Sequence, residues 1–162
     1  MESSNDLECF LNLTLSLIHP DLFRTGLGML LKLRMLETTK AIAQEWKSVH
    51  TGVSVISNQI TPSHQDSRSR AEWYDTLVNY ADGGDSSKPQ MLIKDIGLDL
   101  DYSSGAVISF CGSVFEHEVQ FWGQGDRVCQ AHFMQESVRK RLGVSAAGWV
   151  NQDTYYQHIP QM

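Results

Sequence analysis

The hydrophobic pattern of this chain changes period near residue 49, and that change constrains the fold more than any other feature. Before it, apolar residues recur at helical spacing. A first segment, about residues 7–18, stops at His19-Pro20, where the ring of proline ends a helix. Asp21 is placed to cap a second helix running to about Leu36, with Leu22, Leu27, Leu30, Leu31 and Leu33 as its apolar positions. A third short piece covers Ala41 to Trp46. After Val49 the reading is of strands. Val53-Ser-Val-Ile-Ser57 is rich in β-branched residues. Trp73 to Tyr80 and Leu98 to Tyr102 alternate large or apolar with polar side chains, and Ala106–Phe110, Phe115–Phe121 and Arg127–Phe133 follow. Gly-containing turns separate them at Asp82-Gly-Gly-Asp85, Ser103-Ser-Gly105 and Gly123-Gln-Gly-Asp126. A short helix over about Glu136–Leu142 stops at Gly143.

Helices first and then about six to eight short strands predict an α+β domain. The expected architecture is a double-stranded β-helix, or jelly roll, with N-terminal helices packed on it. A single domain of 162 residues would divide into a helical lead-in (about 7–47), a jelly-roll core (about 49–135) and a C-terminal helix and tail (136–162).

Within the strand region, four residues point to chemistry. His64 and Asp66 are two apart, so on a strand both point to one side. His117 can join them from a distant strand. Two imidazoles and one carboxylate on one face of a metal are the donor set of a non-haem Fe(II) centre, whose other face stays open for a cosubstrate and O₂. Arg127, ten residues beyond His117, supplies a planar fork able to hold a carboxylate through two parallel bonds. The expectation is that Arg127 opens the antiparallel neighbour of the strand carrying His117. A His-x-Asp pair alone is a weak signal; the late histidine and the arginine give it weight.

Other residues have plainer readings. His19, His50 and His158 are more often surface or cap residues than ligands, and His132, flanked by Ala131 and Phe133 on a strand, is more often an interior histidine. Asp82, Asp85 and Asp126 shape turns. Trp46, Trp73 and Trp122 are read as core or rim aromatics. Arg139-Lys140-Arg141 is read as a solvated helix end favoured by the helix dipole.

The formal net charge of −6 and pI near 5.4 give no general attraction for nucleic acid. Cys9, Cys111 and Cys129 are too few and too scattered for a disulfide framework or zinc ribbon. Residues 10–18 follow acidic residues, lack a cleavage site and are too short to span a bilayer, so the expectation is an intracellular, non-secreted protein without a membrane segment. Asn12-Leu-Thr14 matches a glycosylation acceptor by chance on that reading.

Several stretches resemble the fungal branch of the TET/JBP 2-oxoglutarate/Fe(II)-dependent dioxygenases. They are Thr51-Gly-Val-Ser-Val-Ile-Ser-Asn58, Thr61-Pro-Ser-His-Gln-Asp66, Glu72-Trp-Tyr-Asp75, Gly105-Ala-Val-Ile-Ser-Phe-Cys-Gly112, Phe115-Glu-His117 and Gly125-Asp-Arg-Val-Cys129. His19-Pro20 and Glu136 to Val144 extend the likeness over roughly residues 7–150. The resemblance implies a jelly-roll fold, Fe(II) held by His64, Asp66 and His117, and 2-oxoglutarate anchored by Arg127. It implies oxidation of a methyl group on a nucleic-acid base, 5-methylcytosine in DNA being the type substrate, and hence a nuclear location. Cys129 stands where many relatives carry serine beside the cosubstrate, and a thiol is a weaker partner. Asn58 is a further candidate for contact with cosubstrate or substrate. Two alternatives stay open: the same chemistry on a small molecule or protein side chain, and a shortened, non-catalytic binding module.

Overall fold

The computed structural model describes residues 2–82, 89–123 and 125–157, without the side chains of residues 2–4 and 154. Asp85 and His158 lie outside the described residues. The chain forms an α+β fold that divides into two compact units, Met1–Thr51 with Met134–Met162, and Gly52–Phe133.

The first unit is helical: α1 (Glu2–Ile18), α2 (Pro20–Met35), α3 (Lys40–Glu45), α4 (Glu136–Leu142) and α5 (Gln152–Tyr156). Leu11 and Leu15 of α1 and Leu22, Met29 and Leu30 of α2 are buried, and α1, α3 and α4 all pack against α2. The sequence placed the α2 cap on Asp21, but His19 holds it. Its Nδ1 accepts from the backbone N–H of Leu22 at 3.3 Å, and Pro20 occupies the first turn. Asp21, one residue inside the helix, pairs with Arg24 at 3.2 Å. His50, read as a surface or cap residue, is buried, with its Nδ1 3.2 Å from Ser48 Oγ. The Asn12 amide is engaged at both ends, donating to Lys47 O (2.8 Å) and accepting from Val49 N–H (3.0 Å). Gly143 ends α4 in the left-handed region (φ 60°), and Lys32 Nζ donates to the carbonyls of Leu142 (2.8 Å) and Gly143 (3.1 Å). Arg139 and Lys140 both pair with Glu136, which fits the helix-end reading of that basic run. Among the described residues, no helix is long and apolar enough to cross a membrane.

The second unit holds eight strands: β1 (Gly52–Ser57), β2 (Thr61–His64), β3 (Asp75–Ala81), β4 (Gln90–Ile93), β5 (Leu98–Asp101), β6 (Val107–Phe110), β7 (His117–Val119) and β8 (Arg127–Phe133). They form two four-stranded antiparallel sheets, ordered β1-β8-β3-β6 and β2-β7-β4-β5. Except at the β4–β5 connection, successive strands lie in different sheets, so the chain crosses from one sheet to the other at nearly every connection. One core cluster serves both: Met91, Ile93 and Val119 come from one sheet, Phe110 and Cys129 from the other, with Tyr102 between β5 and β6. Tyr102 and Met91 are fully buried, and side chains of this kind contribute roughly 1.5–3 kcal/mol each when removed from water. His132 lies in β8 and is buried, as an interior histidine should be.

The expected pairing of β7 with β8 is not what forms. β7 pairs with β2 and β4, β8 with β1 and β3, so the short Gly-containing connection carries the chain between sheets.

Candidate metal centre and anion clamp

β2 and β7 bring the two candidate histidines together. His64 and His117 are direct register partners across that pair, which brings the ring centroids to 4.2 Å. Each Nδ1 faces a backbone carbonyl two residues earlier: His64 to Pro62 O at 2.9 Å and His117 to Phe115 O at 3.0 Å. A carbonyl oxygen can only accept, so each Nδ1 carries the proton. In the neutral ring the lone pair is then on Nε2. This is the tautomer that a metal-ligating histidine needs, fixed by an outer hydrogen bond. His117 is buried, and Phe110 meets its ring edge-on at 4.8 Å. Burial pushes the His117 imidazole below its ordinary value, which favours the neutral, ligating form.

Asp66 completes the group by a different route from the one its spacing suggested. β2 ends at His64, so strand periodicity does not place the carboxylate. Asp66 lies beyond the strand end, where its N–H donates to Gly112 O at 2.9 Å. One oxygen sits 3.5 Å from His64 Nε2 and the other 3.7 Å from His117 Nε2. One ligand atom from each of the three residues lies within 4.8 Å of the others. Two lone-pair nitrogens and a carboxylate converging in this way fit a divalent transition metal with open coordination positions.

Gly112, the last residue of the stretch Gly105 to Gly112, leaves room for the convergence. A Cβ there would collide with the carboxylate of Asp66 and lie 2.8 Å from Asp75 Oδ2. Gly112→Ala is therefore expected to lower metal affinity by about tenfold or more, as supporting-shell changes do. Overpacking should also lower stability by about 1–3 kcal/mol. Calorimetric titration with Mn(II) and thermal melts of the metal-free form would measure the two effects.

Asp75, the last residue of Glu72-Trp-Tyr-Asp75, is buried beside the candidate site. Its Oδ1 accepts from Ser69 Oγ at 3.0 Å, while Oδ2 has no hydrogen-bond partner. Burial raises its carboxyl from 3.8 to about 7, and the Asp66 charge adds to the rise. The unfolded chain therefore loses this proton near pH 4 and the metal-free folded chain only near pH 7. Between those values the folded state binds more protons, so stability falls as pH rises, by up to about 4 kcal/mol in total. Asp75→Asn should flatten this slope in denaturant titrations between pH 4 and 8. An unchanged slope would mean that Asp75 is ionised throughout.

Arg127 opens β8 and is 1% exposed. Its guanidinium lies over Tyr102 (5.1 Å to the ring centre) and Trp122 (5.5 Å). Trp122 is itself buried and held by its Nε1–H to Gly125 O at 3.1 Å. Among the described residues, Arg127 makes a long side-chain bond from Nη1 to Gln59 O at 3.4 Å and interacts with the Tyr102 hydroxyl, and its Nε has no partner. No carboxylate among the described residues pairs with it. A buried cation costs several kcal/mol unless an anion meets it, so the Arg127 guanidinium is suited to an anionic partner.

The remaining two candidates are already engaged. Cys129 is buried, with Sγ 3.1 Å from the Tyr102 hydroxyl, and burial pushes its thiol up. Asn58, in the left-handed region at φ 51°, is exposed; its side chain bonds Asp126 and the backbone of Arg127.

No family model matches the chain, and no curated protein matches it in sequence. Among solved structures, the chain is similar to NgTET1 in complex with 5mC DNA, at a TM-score of 0.62 and 12% identity. That match covers 95% of this chain and 55% of the other, so this chain spans about half the length of that relative. At this identity the likeness is one of fold: the α+β arrangement described above is TET-like.

Proposed function

We propose that this chain is an Fe(II)/2-oxoglutarate-dependent dioxygenase of the TET/JBP type, with motifs that resemble the fungal branch. The observation that carries the reading is the pair of Nδ1–H to carbonyl bonds, which aims both Nε2 lone pairs toward the Asp66 carboxylate. The strand orders β1-β8-β3-β6 and β2-β7-β4-β5 support a double-stranded β-helix as the frame of the site. His64, Asp66 and His117 hold the iron. Arg127 binds the distal carboxylate of 2-oxoglutarate, with Tyr102 and Trp122 keeping the guanidinium flat and dry. Cys129 acts on this clamp through Tyr102. With both bound, the metal and cosubstrate supply O₂ activation: one oxygen atom goes to substrate and the other to succinate, with release of CO₂.

The substrate proposed first is a methyl group on a nucleic-acid base, 5-methylcytosine in DNA, with a nuclear location following from it. The TET-like fold and the DNA complex of the similar structure support it. A duplex base would have to be flipped out at a cost of a few kcal/mol. A second reading, a small molecule or protein side chain, is favoured by charge. Arg68, Arg70, Lys88, Lys94 and Arg127 are the basic residues of Gly52–Phe133, against eleven carboxylates, so the whole net charge of the chain falls on the unit that holds the site.

Incubation with Fe(II), 2-oxoglutarate and methylated DNA, followed by mass spectrometry of the bases, separates these. Oxidised bases that require 2-oxoglutarate support the first. Succinate formed without base oxidation supports the second. Neither product, with no metal bound, leaves a binding module.

A further inference from the structure

Arg127 is held at its backbone by a single residue of the facing strand end, and that residue is Asn58. We propose that Asn58 is a positioning residue of the anion clamp, acting through Arg127 and not by touching the ligand; this rests on the reading of Arg127 as the carboxylate anchor. Four observations carry it. The Asn58 N–H donates to Arg127 O at 2.8 Å, and the Arg127 N–H donates to Asn58 Oδ1 at 2.7 Å. The other end of the amide, Nδ2, donates to Asp126 Oδ1 at 2.7 Å, so both ends of the side chain are tied to the start of β8. The φ of 51° turns the chain at the end of β1, a conformation that asparagine tolerates better than most residues. That turn sets Gln59 O against Arg127 Nη1, so one residue governs both the backbone and the head of the arginine. From the other side, the Asp126 N–H donates to Asp82 Oδ1 at 2.7 Å, and Asp82 N–H donates to Asp126 O at 3.0 Å. The start of β8 is thereby tied to the end of β1 and to the end of β3, while among the described residues the guanidinium has the long bond to Gln59 O and the Tyr102 hydroxyl, and its Nε has no partner. Its direction is set from the backbone.

The test is calorimetric titration of 2-oxoglutarate into Mn(II)-loaded protein, with Mn(II) affinity measured separately. N58A removes the latch, and N58G removes it while keeping the positive φ accessible, which guards against a misfolded variant. Both should bind 2-oxoglutarate about tenfold more weakly or worse, with Mn(II) affinity unchanged. N58D keeps the acceptor for the Arg127 N–H but sets a carboxylate against Asp126, and should also weaken binding. N58D/D126N exchanges donor and acceptor across the same bond and should restore affinity. Wild-type affinity in N58A and N58G, or no recovery in N58D/D126N relative to N58D, overturns the positioning role and leaves Arg127 as the anchor. Wild-type protein that binds Mn(II) but not 2-oxoglutarate overturns the anchor reading and this inference with it.

Discussion

Asp66→Ala is expected to abolish metal binding while leaving the chain folded. The carboxylate lies between the two histidine Nε2 atoms, and without it only two imidazoles remain. Loss of an outer-shell partner commonly costs 10–100-fold in affinity, so loss of a ligand should cost more than about 100-fold. The fold has little reason to fail, because the bond that anchors this position runs from the Asp66 backbone N–H to Gly112 O and survives the substitution. The variant also removes a negative charge that raises the Asp75 carboxyl. Metal-free Asp66→Ala should therefore be as stable as wild type or slightly more so at pH 7. Thermal melts make the contrast visible. Wild type at about 100 times its dissociation constant for the metal gains about 2.7 kcal/mol, and the variant gains none.

Arg127→Met is expected to raise the stability of the ligand-free protein and to destroy 2-oxoglutarate binding. The side chain is 1% exposed, unpaired among the described residues, and its Nε lacks a partner. Leaving a charge buried without a counter-ion costs several kcal/mol. Stacking against Tyr102 and Trp122 offsets part of that, at about 0.5–2 kcal/mol for each ring. The unbranched methionine fills similar space without charge, and a net gain of about 1–2 kcal/mol follows from those two terms. Truncating one partner of a buried charge pair costs about 2–5 kcal/mol in binding, so affinity for 2-oxoglutarate should fall by about 30-fold or more. Equilibrium unfolding and calorimetry together decide the matter. A destabilised variant would show that the arginine is a structural support instead of a site awaiting an anion.

The parts of this architecture that were legible in the sequence are those encoded by local pattern. The helix-to-strand change near residue 49 and the short strands around Val53, Ile108 and Cys129 follow from periodicity and β-branching. The group His64, Asp66 and His117, which the structure brings together, is legible as a candidate donor set from residue type. What was not legible was set by partners distant in sequence. The alternation of β1 to β8 between two sheets is a property of pairing, so His117 and Arg127, ten residues apart, sit in different sheets. β4 (Gln90–Ile93) escaped notice because four residues after Pro89 give no alternation to count. Asp66 reaches the histidines through its bond to Gly112 instead of through strand period, and the cradle needs a glycine whose significance only the neighbouring carboxylates reveal. His19 displaced Asp21 as the α2 cap because its Nδ1 reaches Leu22 N–H, a matter of rotamer and not of residue preference. Asn58 drew attention as a possible ligand contact, while its bonds to Asp126 and Arg127 describe a latch.

On the proposed function, His64, Asp66 and His117 bind one metal ion to which an anion held by Arg127 is delivered. The most direct test is an anaerobic titration of Fe(II) and then 2-oxoglutarate, followed by visible absorption, since a 2-oxo acid chelated to Fe(II) gives a charge-transfer band. The expected band saturates at one Fe(II) and one 2-oxoglutarate per chain, is absent in Asp66→Ala, and needs far more 2-oxoglutarate in Arg127→Met. No band in wild type, or an undiminished band in Asp66→Ala, would contradict it.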